Sequence, residues 1–258
     1  MPKSNANARA YLDLILVNSV ISTDTPASGA DTYDHFGSTG TTLGKSSTAG
    51  NLYFSLHTAS PGATGNQSTG EIAYTGYARI AMARGTASIW TFSTPADGFG
   101  SQARNTAAVS FQKMTGGAGG IARFWGLGLD LTGAGDLLWY GPLALETAKP
   151  FAVIDLPTDA TLANNDILCT NTYAANDQVC FIDVPGSAIP AGLTEDTYYY
   201  VISTGLTADK FRVSTTQGGS AVDITGEGAG YVAKVLEKNI TLNDEPKIEA
   251  LAAIILER

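Results

Sequence analysis

The chain has 258 residues, a net charge of −9, 44% hydrophobic residues and only 15% charged residues, against roughly 25% charged in an average globular protein. That length can bury a full core in one large or two modest domains, and no apolar run reaches the ~18 residues of a membrane span. The acidic balance, with no cluster of Lys or Arg, argues against nucleic-acid binding, which needs grouped cations to neutralise phosphates.

Residues 1–10 carry no signal-peptide pattern, so the protein is expected to be made and used without secretion. Ser4 is a credible N-cap, and Leu12, Ile15, Leu16 and Ser19 fall at spacings of three and four, which predicts a helix over 5–18. Its other face, with Arg9, Asp13 and Val17, is less polar than an ordinary surface helix. Two packings compete: the helix lies on the sheet of its own subunit, or it docks on a neighbour. Residues 22–50 are Ser, Thr, Gly and Asp with Tyr33, His35, Phe36 and Leu43 as isolated anchors for a partner. An aperiodic loop of that length is uncommon inside a compact domain.

Two alternating runs, 52–57 (LYFSLH) and 77–84 (YARIAMAR), read as strands around a polar loop over 62–70. Further strands are predicted over 87–92, 107–111, 121–129 and 136–141, with 94–106 as a polar loop and 115–120 (TGGAGG) as a flexible turn. Trp90, Trp125, Trp139 and Tyr140 are assigned to the core. Composition shifts near Phe151, and strands then follow over 166–170, 178–182, 197–203, 210–214 and 231–236. Strand-like sequence resumes over 240–242 and 250–256. Short strands between Gly-rich turns predict an all-β fold. Its body is an antiparallel sandwich or jelly-roll-like domain over 1–151 plus 238–258, with an N-terminal helix. A second small β module over 152–237 is inserted before the last strands.

Chemistry-bearing patterns are sparse. Cys169 and Cys180 flank a run that reads as a short hairpin, and they are expected to be reduced core residues, although a cross-strand bridge is geometrically open. Of the two histidines, His57 stands without a G-x-S-x-G elbow or a metal spacing and reads as a satisfied or surface residue. The glycines of 126–128 and 226–230 depart from the dinucleotide pattern and read as turn glycines. Scattered carboxylates read as solvated loop acids, and a glycosidase would need two of them across a cleft.

Met1-Pro2-Lys3-Ser4-Asn5-Ala6 ahead of a Leu/Ile helix, LYFSLHTASPG at 52–62 and EIAYTGYAR at 71–79 resemble a family of small tailed-bacteriophage virion proteins. Its members begin M-A-K-S-N and carry L-Y-x-x-L-H-T-A-x-P-G and Y-T-G-Y-A-R; 124–128 and 133–140 (GAGDLLWY) also match. The resemblance covers roughly residues 1–150 and the final strands. Residues 22–50 form a longer loop than in short members. Residues 152–237 look like an insert seen in other phage structural proteins, with IPAGLT at 189–194 and YYYVI at 198–202.

The resemblance implies a non-enzymatic virion protein without a cofactor or metal. The expected role is capsid decoration: a homo-oligomer, such as a trimer, assembled in the host cytoplasm and seated on the major capsid protein, where it stabilises the head. The expected interface comprises Leu12, Ile15, Leu16, Tyr33, Phe36, Leu43, Tyr74 and Tyr77. Members are also labelled tail fibre proteins, and the alternative is a tail-attached protein that touches the host surface with 152–237 as a receptor or glycan binder. A third reading, a glycan-cleaving tail enzyme, would need an acid pair such as Asp155 and Asp183.

Overall fold

A computed structural model describes residues 5–18, 50–84, 89–95, 100–144, 148–156, 159–160, 164–183, 187–235 and 237–257. The chain divides into two compact units, Met1–Tyr140 with Asn239–Arg258, and Gly141–Lys238. As expected from the short strands and Gly-rich turns, it is all-β and antiparallel with an N-terminal helix.

In the first unit, helix α1 (Asn5–Val17) places Ala8, Leu12 and Leu16, four residues apart, in the core. It ends at Asn18, whose φ of 53° is the left-handed conformation that terminates helices. The last turn's free carbonyls are met by Arg84, whose guanidinium donates to Leu14 O at 2.8 Å and Ile15 O at 2.6 Å. On the outer face Arg9 pairs with Asp13 at 2.8 Å and lies 3.8 Å from the centre of the Phe92 ring. The helix packs on its own unit, against the strands over Ser101–Asn105 and Ile254–Glu257. Leu12 and Leu16 are therefore sealed inside, and Ile15 is half-buried. The expectation that this helix presents Leu12 and Leu16 to a partner is corrected: its apolar stripe is consumed by the core.

Strand β1 (Asn51–His57) is flanked by β2 (Ile80–Ala83) on one side and by β7 (Phe124–Gly128) on the other. The strand β8 (Leu137–Pro142) completes the order β2-β1-β7-β8. A second sheet joins β3 (Trp90–Ser93), β4 (Ser101–Asn105) and β19 (Ile254–Glu257) in the order β19-β4-β3. Short pairs link β5 (Val109–Ser110) to β18 (Lys247–Ile248), and β6 (Gly120–Ala122) to β17 (Lys238–Ile240). Phe54 from the first sheet lies 6.0 Å from Trp90 of the second and 5.9 Å from Trp125, ring centre to ring centre.

Several local readings change. Residues 94–106, read as a loop, contain β4, whose inward positions are Ser101, Ala103 and Asn105. The single strand over 121–129 is broken at Arg123 into β6 and β7. The 115–120 turn is anchored by a bridge between Thr75 and Gly116. Trp139 and Tyr140 are half-buried on β8 rather than core residues. The start of the strand read over 87–92 lies outside the described residues.

Asn105 shows what a polar core position does. Its Nδ2 donates to Ala107 O and Glu249 O, both at 2.8 Å, and its Oδ1 accepts from Ala253 N at 2.9 Å. One side chain thus holds the C-terminal segment onto β4. Asn105→Ala would leave a buried donor and two acceptors unpaired and is expected to cost about 2–3 kcal/mol. Hydrogen exchange at the Ala253 amide should quicken in step, and unchanged protection there would refute the assignment.

In the second unit, β9 (Lys149–Val153) is followed by a small pair, β10 (Asp155–Leu156) with β11 (Asp159–Ala160). Then come β12 (Ile167–Leu168), β13 (Gln178–Ile182), β14 (Tyr198–Ile202), β15 (Lys210–Ser214) and β16 (Gly228–Val235). They close a barrel in the order β12-β15-β14-β13-β16-β9, which leaves no free edge. Alternation sends Val179, Phe181, Tyr199, Val201, Phe211 and Val213 inward, and Phe151, Ile167 and Val232 complete the core. A boundary at 151/152 would cut β9, because that strand already belongs to the barrel. The hairpin read across the cysteines is also corrected: β12 pairs with β15 and β9, and β13 with β14 and β16. Cys169 and Cys180 are buried and form no disulfide. Burial, with Asp196 and Glu195 nearby, pushes the Cys180 thiol well up, so it stays protonated in the core.

Candidate functional site

Between Leu52 and Ile80 the only charged side chains are Glu71 and Arg79, and the first unit is built to bring them together. Strand β1 ends at His57, and the chain loops out and returns, with Thr58 N donating to Gly70 O at 2.8 Å and Ile72 N to Leu56 O at 2.9 Å. Gly70 turns this corner at a φ of 64°. The return sets Glu71 beside the end of β1, and Arg79, entering β2, reaches it.

Arg79 Nε donates to Glu71 Oε1 at 2.8 Å and Nη2 to Oε2 at 2.7 Å, a two-pronged pair in which the arginine side chain is 3% exposed and the glutamate 15%. Nη1 also donates to Asp130 O at 2.9 Å, and Nη2 to Gly133 O at 2.7 Å and to Ser68 Oγ at 3.3 Å. Tyr77 O–H adds a bond to Glu71 Oε1 at 2.9 Å. Hydrogen bonding to Glu71 raises the Arg79 pKa, and burial, with the Glu71 charge, raises that of Tyr77. The group is one staple across three segments, the 62–70 loop, β2 and the turn after β7. The composition of that loop predicts a polar connection between strands. Its Gln67 is nevertheless fully buried, accepting from Asp130 N at 2.8 Å, while Gln67 N donates to Gly135 O at 2.9 Å.

His57 sits next to this staple. Its Nδ1 lies 2.8 Å from Thr69 O, which can only accept, so Nδ1 carries the proton. Nε2 then accepts from the Ser55 hydroxyl at 2.8 Å. Hydroxyl and imidazole are disposed like a nucleophile and its base, but both residues are 0% exposed, and a carbonyl stands where a carboxylate orienter would. Gly126, paired with Ser55, closes the site: a Cβ there would lie 2.6 Å from His57 Nε2 and 2.7 Å from Ser55 Oγ. His57 is a satisfied core histidine.

Burial lowers the His57 pKa below its ordinary 6.5. The folded state therefore favours the neutral ring, and the stability this contributes is full above about pH 6.5 and is lost as pH falls from there through the folded value. The first unit should lose up to about 1.4 kcal/mol per pH unit in that window. The check is urea unfolding of the wild type and His57→Gln at pH 7.5 and 5.5. The wild type should lose more stability between the two, and equal losses would contradict the assignment.

An open cleft of about 340 Å³ lies over the staple, lined by Glu71, Tyr77, Ala78, Arg79, Leu131, Thr132 and Gly133. Leu131 and Leu129, on the turn after β7, are exposed. The floor is a neutralised ion pair and the rim is apolar, which suits contact with an uncharged surface rather than proton transfer. Of the interface residues expected from sequence, Tyr77 lines this cleft. Tyr74 is buried beside it, rings 5.3 Å apart, with its hydroxyl donating to Gln112 O at 2.8 Å and its pKa pushed up to about 12 by burial. Leu12, Ile15 and Leu16 lie on α1, and Tyr33, Phe36 and Leu43 fall outside the described residues. Glu71, Arg79 and Gln67 were not singled out from sequence as a site, although the isolation of two opposite charges in an uncharged stretch was a signal.

Among the described residues no group of His, Cys, Asp or Glu is arranged to hold a metal ion, and no helix is long and apolar enough to cross a membrane.

Residues 39–167, half of the chain, match the family described as Podophage GP4 fiber I protein gp80. The matched segment contains both the 52–62 and the 71–79 motifs, and so β1, the Glu71–Arg79 staple and β7; residues 1–6 lie outside it. No curated protein and no solved structure matches the chain. The chain belongs to the Podophage GP4 fiber I protein gp80 family, and is a phage structural protein.

Proposed function

We propose that the protein is a non-enzymatic subunit of a phage tail fibre, assembled from copies of itself and contributing to contact with the host surface. The observation that carries this reading is the fibre family's match across the first unit's main sheet and its central staple. The site chemistry agrees with it. Arg79 is committed at Nε, Nη1 and Nη2 to Glu71 and backbone carbonyls, and the Ser55–His57 pair is sealed from solvent. Such groups stiffen a subunit; they do not turn over a substrate. The closed barrel of the second unit is a self-contained module, suited to display.

Capsid decoration, the role expected from sequence, is the competing placement within the same class of virion protein, with the major capsid protein as partner. One experiment decides between them: a tag after Arg258, located on intact virions by immunogold labelling or cryo-electron microscopy. Label confined to the tail is the expected result. Label spread over the head would overturn the fibre assignment and restore decoration, and virions without label would remove both.

A further inference from the structure

The second unit carries a charged group that its fold does not fully use. Asp166, at the entry to β12, is 1% exposed, and both its carboxylate oxygens are taken. Oδ1 accepts from Arg212 Nε at 2.5 Å and Oδ2 from Lys210 Nζ at 2.6 Å. Two cations on one anion leave a local excess of one positive charge, in a chain whose net charge is −9.

The guanidinium of Arg212 is held on two sides. Asp166 fixes the Nε edge. Gly205, at a φ of 78°, brings the β14–β15 loop against its surface, where a Cβ would lie 2.7 Å from Nε and 3.1 Å from Cζ. The terminal Nη1 and Nη2 have no protein partner among the described residues, and the side chain is 21% exposed. A planar fork immobilised at one edge, with the other edge uncommitted, is pre-organised for a two-pronged bond to an oxyanion. Such a fork loses little further freedom on binding.

The surroundings narrow the ligand. Arg212 stands directly opposite Ile202 in the β14–β15 register, and Tyr200, two residues earlier on β14, shares that outer face. Gln178 on β13 stands opposite Tyr200 and donates to its hydroxyl at 3.2 Å, which fixes the phenol. An immobilised aromatic and an aliphatic side chain beside a fixed cation match a ring with apolar C–H faces and an anionic substituent.

We infer that the outer face of β14 and β15 is a binding site for an acidic saccharide, in which Arg212 grips a carboxylate or phosphate oxyanion and Tyr200 with Ile202 supports the sugar ring. The choice of a saccharide rests on the fibre reading; the oxyanion fork rests on the barrel alone.

The test is NMR titration of the 15N-labelled full chain, following the Arg212 Nε–H signal and the β14 and β15 amides. Glucose 6-phosphate and glucuronate are the two anionic probes, and glucose and inorganic phosphate are the controls. Either acidic sugar should shift these signals with an affinity about tenfold better than either control, as a second contact adds to the first. Arg212→Lys keeps a cation for Asp166 but removes the fork, and should lose that preference while barrel amides far from the site stay in place. No shift with either acidic sugar, equal affinity for glucose, inorganic phosphate binding as tightly as both sugars, or undiminished binding by Arg212→Lys would each overturn the inference. The purified chain is the reagent, so failure here is separate from the position of label on virions.

Discussion

Replacing Arg79 with alanine is expected to destabilise the first unit by about 3–5 kcal/mol, because it strands a largely buried carboxylate, leaves the Asp130 carbonyl without its donor and leaves the Gly133 carbonyl with the Ser68 hydroxyl alone. The desolvation already incurred at Glu71 is not returned when its partner goes. A charge-free pair of similar size, Glu71→Gln with Arg79→Met, should therefore cost less than Arg79→Ala alone. The readout is selective: Trp90, Trp125 and Trp139 are the protein's three tryptophans, and all lie in the first unit. Fluorescence-detected urea unfolding thus follows this unit without interference from the barrel. A loss below about 1 kcal/mol for Arg79→Ala would mean that the pair behaves as an ordinary surface salt bridge, and the staple would then not be what joins the three segments.

How far the sequence discloses this molecule depends on which physical term sets each element. Where apolar alternation sets it, as in YYYVI, strand and facing are both legible, since every second side chain must leave water; in LYFSLH the strand is legible but Ser55 and His57, on its other face, are buried as well. The same logic fails at β4. Its inward residues Ser101, Ala103 and Asn105 are small or polar, so the pattern reads as a loop, and two of the three partners that satisfy Asn105, Glu249 and Ala253, are distant in sequence. The hairpin drawn between Cys169 and Cys180 fails differently. Nearness in sequence suggests pairing, but closing the barrel places β15 and β14 between those strands. The staple was half legible. Glu71 and Arg79 belong to a stretch that carries the family resemblance, yet alternation made Arg79 look like an ordinary strand residue, because it says nothing about turns supplied by residues 130–135. The triad of Asp166, Lys210 and Arg212 was not legible at all, since its members meet only through the pairing of β12 with β15.

In the barrel the largest loss is expected from Phe181→Ala. Phe181 is 0% exposed on β13 and meets three aromatic rings: Phe151 at 5.0 Å and Tyr199 at 5.6 Å, both edge-on, and Phe211 at 6.5 Å in a stacked orientation. Truncation removes the transfer energy of one buried ring and leaves a cavity that three stiff rings cannot collapse to fill. The expected cost is about 3–5 kcal/mol. Phe181→Leu, which fills most of that volume, should cost less than half as much. Tyr200→Ala, on the outer face of the neighbouring strand, should stay within about 1 kcal/mol. The second unit holds no tryptophan, so tyrosine near-ultraviolet circular dichroism or amide exchange in β13 and β16 must report the change. The tryptophan-detected transition of the first unit should stay where it is. If Phe181→Ala shifted that transition as far as the barrel's own, the two units would unfold as one cooperative body, and a division at Gly141 and Lys238 would describe the chain's contacts but not its energetics.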